Sequence, residues 1–314
     1  MTRGAGKFNS KWISFVSPEQ RVRKVARRIL EARFRAVAYW LPCAAERSEE
    51  DPEFVHQLRV SSRRAAAALR MFRSIIGKTA YVQMRDALRE VRRAAGGARD
   101  LDVMRREFEQ YCAGVPKSLV RKFVREIECR RAAAQETIVA LHQQLAVEKF
   151  DAFVDHLLAQ VGTRNKSLAK QRFGDQADHY LLPALKEFFA AFRNDLTAAE
   201  NLHQLRIRAK KLRYTIELVE VAYPAQLRRR LYPRIVAIQD VLGLANDHAT
   251  ANRLLMEWAQ DTDIPKLRTF ILGLSVPLAK GCADLRQAFL MTWTPRSVDQ
   301  LQAHFEKCCG LKFE

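Results

Sequence analysis

Two histidines, His56 and His203, each open a dense run of cations, and that pairing is the chemistry most visible in the chain. After His56 come Arg59, Arg63, Arg64 and Arg70; after His203 come Arg206, Lys210, Lys211, Arg213 and then Tyr214. An arginine fork can hold two oxygens of a phosphate at once, whereas lysine acts as a point charge. An imidazole adds a donor whose charged form a nearby phosphate favours. Residues of these types recognise anions. Cleaving a phosphate chain would ask for a metal with several carboxylates, or for an activated nucleophile. The sequence offers no such constellation, so the expectation is a binding protein and not an enzyme, with no metal and no cofactor. Asp100-Leu101-Asp102 and Asn246-Asp247 read instead as helix starts.

Helical spacing puts these cations on one side. With ~100° per residue and His56 at zero, Arg59, Arg63 and Arg70 share a stripe about 60° wide, and Leu58, Ala65, Leu69, Phe72 and Ile76 gather opposite. With His203 at zero, Arg206, Lys210 and Arg213 lie between about −80° and −20°, and Tyr214 near +20°. Leu205, Leu212, Ile216 and Val219 take the apolar side, so each helix feeds a core with one face and presents charge with the other. A solvated face usually mixes signs, because Glu–Lys pairs stabilise a helix and like charges do not. From His56 to Arg73, and again from His203 to Tyr214, there is no acid at all. Such crowding costs free energy unless an anion compensates it. The two runs are not identical. Ala66 stands where Arg213 does, and Glu217, in the place of Arg70, sets a carboxylate on the second stripe.

The pattern occurs twice at one offset. The histidines are separated by 203 − 56 = 147 residues. Gly96-Gly97-Ala98-Arg99-Asp100 and Gly243-Leu244-Ala245-Asn246-Asp247 keep the same spacing, 247 − 100 = 147. A spacing held across two separate motifs points to a duplicated unit. Further basic positions extend the surface at helical intervals: Arg21, Lys24, Arg28 and Arg35; Arg85, Arg89 and Arg92; and the run Arg228-Arg229-Arg230. Glu31, Asp86 and Glu90 lie among them, so part of this set is ordinary solvated surface.

The whole chain shares the bias. Lys and Arg number 54 against 35 Asp and Glu, a formal charge of +19 over 314 residues. An excess of that size calls for a polyanionic partner: phosphate polymer, nucleic acid or an anionic surface. Six cysteines without C-x-x-C spacing argue against a metal site and for reduced thiols, hence a cytoplasmic protein. No stretch nears the ~18 to 20 apolar residues that span a bilayer, and residues 1–20 lack the apolar core of a signal peptide.

The elements that must carry the cations are helices almost throughout. The periodicity predicts helices near 18–41, 53–76, 79–95, 100–112, 117–147, 148–160, 175–194, 199–221, 226–242, 247–260, 264–291 and 297–309. Pro18 is placed to open the first and Pro42 to follow its close. Gly77 reads as a helix C-cap and Asp100 and Asp247 as N-caps. Loops near 42–52 and 195–201 precede the two histidine helices. Gly162–Ser167 is the candidate join. The expected fold class is all-α: a tail (1–17), then two helical-bundle halves (18–162 and 163–314) around a basic central groove.

At this point the residues resemble a known family. Paired H-x-x-R-V/I-x-x-[RK]-[RK] helices, each followed by an L-G-x-x-[RN]-D-like turn, resemble those of the CHAD domain, the conserved histidine α-helical domain. The matching positions are His56, Arg59, Arg63 and Arg64 with Ala95–Val103, and His203, Arg206, Lys210, Lys211, Leu212, Arg213 and Tyr214 with Gln239–Asp247, so the likeness runs over about residues 18 to 309. The resemblance implies two helical bundles with pseudo-twofold symmetry, binding of inorganic polyphosphate along a basic channel, and association with polyphosphate granules and their proteins. The expected polyphosphate-binding residues are His56, Arg59, Arg63, Arg64, Arg70, His203, Arg206, Lys210, Lys211, Arg213 and Tyr214, with Arg28, Arg89 and Arg92 from the further basic segments. Two rivals stand beside this reading. A nucleic-acid-binding protein fits the charge but lacks aromatics interleaved with the cations, which leaves nucleic acid as a non-specific competitor. A histidine phosphotransfer protein has a similar H-x-L-K-G helix, but here Val60 and Ile207 occupy the position where a small residue admits the partner.

Overall fold

In the computed structural model, which describes residues 10–109, 111, 115–147 and 150–313, the chain is all-α. In order, the helices are α1 (Val22–Glu46), α2 (Glu53–Met71), α3 (Lys78–Glu109), α4 (Lys117–Val147), α5 (Phe150–Ala159), the short α6 (Lys166–Lys170), α7 (Ala177–Phe192), α8 (Ala199–Val219), α9 (Tyr232–Asp261), α10 (Pro265–Thr292) and α11 (Pro295–Cys309). A π-helical turn, Leu227–Leu231, leads into α9. Among the described residues, extended pairing is limited to two isolated bridges, Arg21–Arg172 and Ile76–Val161. No helix among them is long and apolar enough to cross a membrane. The described cysteines (Cys43, Cys129, Cys282, Cys308 and Cys309) are free.

The apolar faces of the histidine helices go where their spacing sends them. Leu58, Ala65, Leu69, Phe72 and Ile76, and Leu205, Leu212, Ile216 and Val219, are all buried in one large core. That core also takes Val25, Ile29, Phe34 and Val37 of α1 and Leu181, Leu185 and Phe188 of α7, so residues on both sides of Gly162 share it. A second core fills the far ends of the long helices. There Met104 and Phe108 of α3, Phe123 and Ile127 of α4, Leu255 and Trp258 of α9, and Ile271 and Leu274 of α10 meet.

Several sequence-based expectations need correction. The segments 79–95 and 100–112 are one helix, α3, and 226–242 and 247–260 merge into α9 behind the π turn. Asp100 and Asp247 are therefore mid-helix residues and not N-caps. Glycine in a helix interior costs about 1 kcal/mol, but the apolar stripe crosses the glycines unbroken: Leu88, Val91, Ala95, Ala98, Leu101 and Met104 on α3, and Ile238, Leu242, Ala245, His248 and Ala251 on α9 are buried. Packing on both sides outweighs the local cost. Likewise α1 runs through Pro42 to Glu46, because Leu41, Ala44 and Ala45 remain in the core beyond it. Pro18 does not open that helix, which begins at Val22. Gly77 is not the C-cap of α2, which ends at Met71; it stands just before α3, where its carbonyl accepts from Tyr81 N–H at 3.0 Å, with Gln160 packed against it. Gly162 lies in the turn between α5 and α6 with φ of 90°, a conformation that suits glycine. The first nine residues of the expected tail, Cys112 and the 147/148 helix boundary lie outside the described residues.

Candidate anion-binding groove

The charged faces of the two histidine helices converge. α2 and α8 pack against each other, and α3 and α9 flank them. Arg63 of α2 is the hub. Burial is the main reason that His56, Arg59, Arg92, Arg206 and Lys210, residues of α2, α3 and α8, hold their protons less tightly, and the charge of Arg63 adds to it at every one of them. Arg63 itself forms no hydrogen bond or ion pair among the described residues.

Arg59, by contrast, is held by identifiable contacts. Arg59 Nη1 donates to Gly96 O at 2.9 Å and to Asp100 Oδ1 at 3.0 Å. The segment read as a turn is thus a docking point on the wall of α3, through the Gly96 carbonyl and the Asp100 carboxylate. Beyond the helix's own backbone, nothing lies within 4 Å of where a Cβ would stand on Gly96 or Gly243. Arg206 feels the carboxylates of Asp247 and Asp100 and the opposing charges of Arg63 and Arg59. Its Nε is buried without a hydrogen-bond partner, as is Nη1 of Arg92. Arg92 lies within the fields of Arg70, Arg63 and Arg89, which joins three of the more distant sequence candidates to the hub.

Burial and like charge shift the titration of the groove. Burial, followed by Arg206 and Arg63, pulls the Lys210 amine down to about 7. Burial, then Arg99 and Arg63, pushes His56 below its ordinary value, with Glu53 opposing. Arg59 and Arg206 are lowered for the same reasons. Desolvated cations without enough counter-charge make a site prepared for an anion.

His203 is exposed and reaches the groove's other end. With Arg206, Asn246, Arg286 and the apolar Leu202, Leu242 and Ala245 it lines a recess of about 110 Å³. Two residues absent from the sequence-based set enter here. Arg99, on α3, places its charge at His56, and Arg286, on α10, joins His203. Arg99 had a legible signal: it and Asn246 occupy the same place in the repeated motif, and each lies close to a histidine. Arg286 had none, because α10 approaches only through tertiary packing.

Other candidates turn elsewhere. Arg64 and Lys211 sit about 80° from their histidines, and each meets a carboxylate. Arg64 Nε pairs with Glu217 at 3.0 Å, and Lys211 Nζ pairs with Glu187 of α7 at 2.5 Å, beside Arg208 at 2.7 Å. Arg213 donates to Glu217 at 3.2 Å and to Gln239 at 2.9 Å, and its guanidinium lies 5.9 Å from the Tyr214 ring centre. Arg28 stands apart over Phe15, at 5.4 Å. Glu217 does not lie on an exposed stripe: it is fully buried, and it also accepts from Tyr232 Oη at 2.7 Å. A helical wheel gives an angle but not what covers it. Toward its C-terminus the charged stripe of α8 runs under α2 and α9.

The comparisons with known proteins agree with this architecture. The crystal structure of the CHAD domain from the plant Ricinus communis superposes with a TM-score of 0.68 at 22% identity, covering 92% of both chains. PptA from Streptomyces chartreusis gives a TM-score of 0.58 at 18% identity, over 92% of this chain and 99% of that one. Two Mycobacterium tuberculosis proteins, the uncharacterized protein MT2285 of strain CDC 1551 / Oshkosh and the uncharacterized protein Rv2226 of strain H37Rv, are each 27% identical over 252 residues. Those alignments cover 75% of this chain and 47% of each relative, so the chain spans about half the length of the curated relatives it matches. The family model of the CHAD domain matches residues 28–256, and the chain belongs to the CHAD domain family.

Proposed function

We propose that this protein binds inorganic polyphosphate, without catalysis, along the groove where α2 and α8 meet. The observation that carries the reading is the reach of Arg63, whose field is felt on both histidine helices, so that their cations form one site and not two. The polymer would run from Arg89, Arg70 and Arg92, past Arg63, His56, Arg59, Arg99 and Lys210, to Arg206, His203 and Arg286. A linear polyanion without bases offers no edges to read, and the cluster has no aromatic platform suited to stacking a base; Tyr214 lies against Arg213. The setting that goes with this ligand is the polyphosphate granule in the cytoplasm, with granule proteins as neighbours.

Titration with long-chain polyphosphate tests the assignment. Changing Arg59, Arg63, Arg206 and Lys210 together to Ala should weaken binding at least 100-fold. It should also flatten the plot of log K against log salt by about 3, since each neutralised phosphate contributes roughly 0.7 to 0.9. Unchanged affinity would remove the site assignment. RNA at matched phosphate concentration and fixed salt should compete poorly, and a preference for RNA would favour the nucleic-acid reading.

Binding should take up protons. An anion stabilises the charged forms of Lys210 and His56, raising both from the depressed positions they hold in the free groove. Affinity should then fall as pH rises through 7 toward 9. Calorimetry at pH 8 in buffers of different ionisation enthalpy should show uptake approaching one proton, and Lys210→Met should abolish most of it. For the free protein the sign reverses: the unfolded chain holds the Lys210 proton more tightly, so this residue's contribution to stability improves as pH climbs from 7 to 10.

A further inference from the structure

The groove does not exhaust the chain's uncompensated charge. A cavity of about 630 Å³ opens between the π turn Leu227–Leu231, the start of α9 and α11. Arg230, Arg234, His304 and Lys307 line it, with Gln226, Pro224, Leu231 and Cys308 among them. It is distinct from the groove. Arg234 precedes Asp247 on α9 by 247 − 234 = 13 residues, which sets the two about 140° apart around the helix.

Three features separate this cavity from an ordinary solvated basic surface. Among the described residues no carboxylate pairs with Arg230, Arg234 or Lys307. The neighbouring Arg228 has its own partners, Glu220 at 3.4 Å and the Trp12 ring at 4.4 Å, and Glu306 lies about 160° round α11 from His304. The imidazole is also committed. Arg234 Nη1 lies 3.1 Å from His304 Nδ1, and a guanidinium can only donate. His304 therefore keeps its lone pair on Nδ1 and its N–H on Nε2, as one more donor. Finally, π-helical turns are rare and recur at functional sites; this one carries Arg228, Arg229 and Arg230 in succession and turns Arg230 to the cavity while Arg228 goes to Trp12.

The size and the mixed lining define the ligand. Pockets for small organic molecules run from roughly 300 to 1,000 Å³ and combine apolar walls with a few convergent polar groups. A bare phosphate chain has no use for Pro224, Leu231 and Cys308. We propose that this cavity binds a small organic phosphate of nucleotide size. Arg230, Arg234 and Lys307 hold the phosphoryl oxygens, His304 adds a hydrogen bond, and the uncharged body packs on Leu231 and Pro224. Burial pushes the Cys308 thiol up from its ordinary value, which disfavours the nucleophilic thiolate and suits reversible binding.

The test uses the full chain and ATP as probe, followed by calorimetry. ATP should bind with a stoichiometry of one, and inorganic tripolyphosphate, which has the same charge-bearing chain but no organic body, should bind this cavity at least tenfold more weakly. The double variant Arg230→Gln/Lys307→Gln should weaken ATP at least tenfold while changing long-chain polyphosphate affinity less than twofold; both side chains are exposed, so packing is untouched. Arg63→Gln should leave ATP binding intact, whether or not the groove takes polyphosphate. ATP affinity that follows Arg63 and ignores Arg230 and Lys307 would overturn the proposal, and so would equal affinity for ATP and tripolyphosphate.

Discussion

Arg63→Ala should lose roughly 10- to 100-fold in polyphosphate affinity, the scale of one or two charge-assisted hydrogen bonds at about 1.5–3 kcal/mol each, and should at the same time leave the free protein as stable as before or more so. The two effects have opposite signs because Arg63 has no counter-charge of its own among the described residues. Its field opposes the charged forms of His56, Arg59, Arg92, Arg206 and Lys210. Removing it relieves that repulsion in the free protein and removes the central contact in the complex. The Lys210 amine should also titrate above its present value of about 7 in the variant, because the charge of Arg63, which depresses it after burial and Arg206, is gone. Thermal melts at low salt, polyphosphate titration and pH-dependent labelling of the amine read the three outcomes separately. A variant that loses stability and affinity together would show that Arg63 is structural, and would remove it from the binding set.

Glu217→Leu should be the most destabilising single change near the groove, by about 3–5 kcal/mol in urea unfolding, the usual cost of stripping one partner from a buried ion pair. Glu217 is fully buried between Arg64, whose side chain is 10% exposed, and Arg213, and it accepts from Tyr232. Arg33 lies in the same field. Burial and the charge of Arg64 bring it down to about 10, and it donates to the carbonyls of Ser10 and Lys11. Without the carboxylate these guanidiniums face one another. Adding Arg64→Met to Glu217→Leu should restore part of the loss, since a buried pair exchanged for apolar side chains is often neutral. If Glu217→Leu alone unfolds like wild type, the knot is not holding α2 to α8.

How much of this was legible in the sequence follows from what kind of information each residue needed. Angular position was legible: the wheel separated Leu58, Leu69, Leu205 and Leu212 from Arg59, Arg63, Arg206 and Lys210, and the buried set matches. Gly96 and Gly243 look like punctuation that splits α3 and α9, because their local cost of about 1 kcal/mol is visible in the sequence and the packing that outweighs it is not. Pro42 looks like the end of the first helix for the same reason.

Residue types and their spacing are enough to give an all-α chain, a strong positive charge, two histidine helices with opposed apolar and cationic faces, and the motif that carries Arg99 and Asp100. These properties depend on spacing along one helix, which the covalent chain sets. Folding in three dimensions brings the two cationic faces together at Arg63, carries Arg286 of α10 to His203, and engages Arg64, Lys211 and Arg213 with Glu217 and Glu187. Residues on one stripe share a direction but not a depth. Which of them stays open to a ligand depends on the neighbouring helix that covers the rest, and that contact joins positions far apart in the chain.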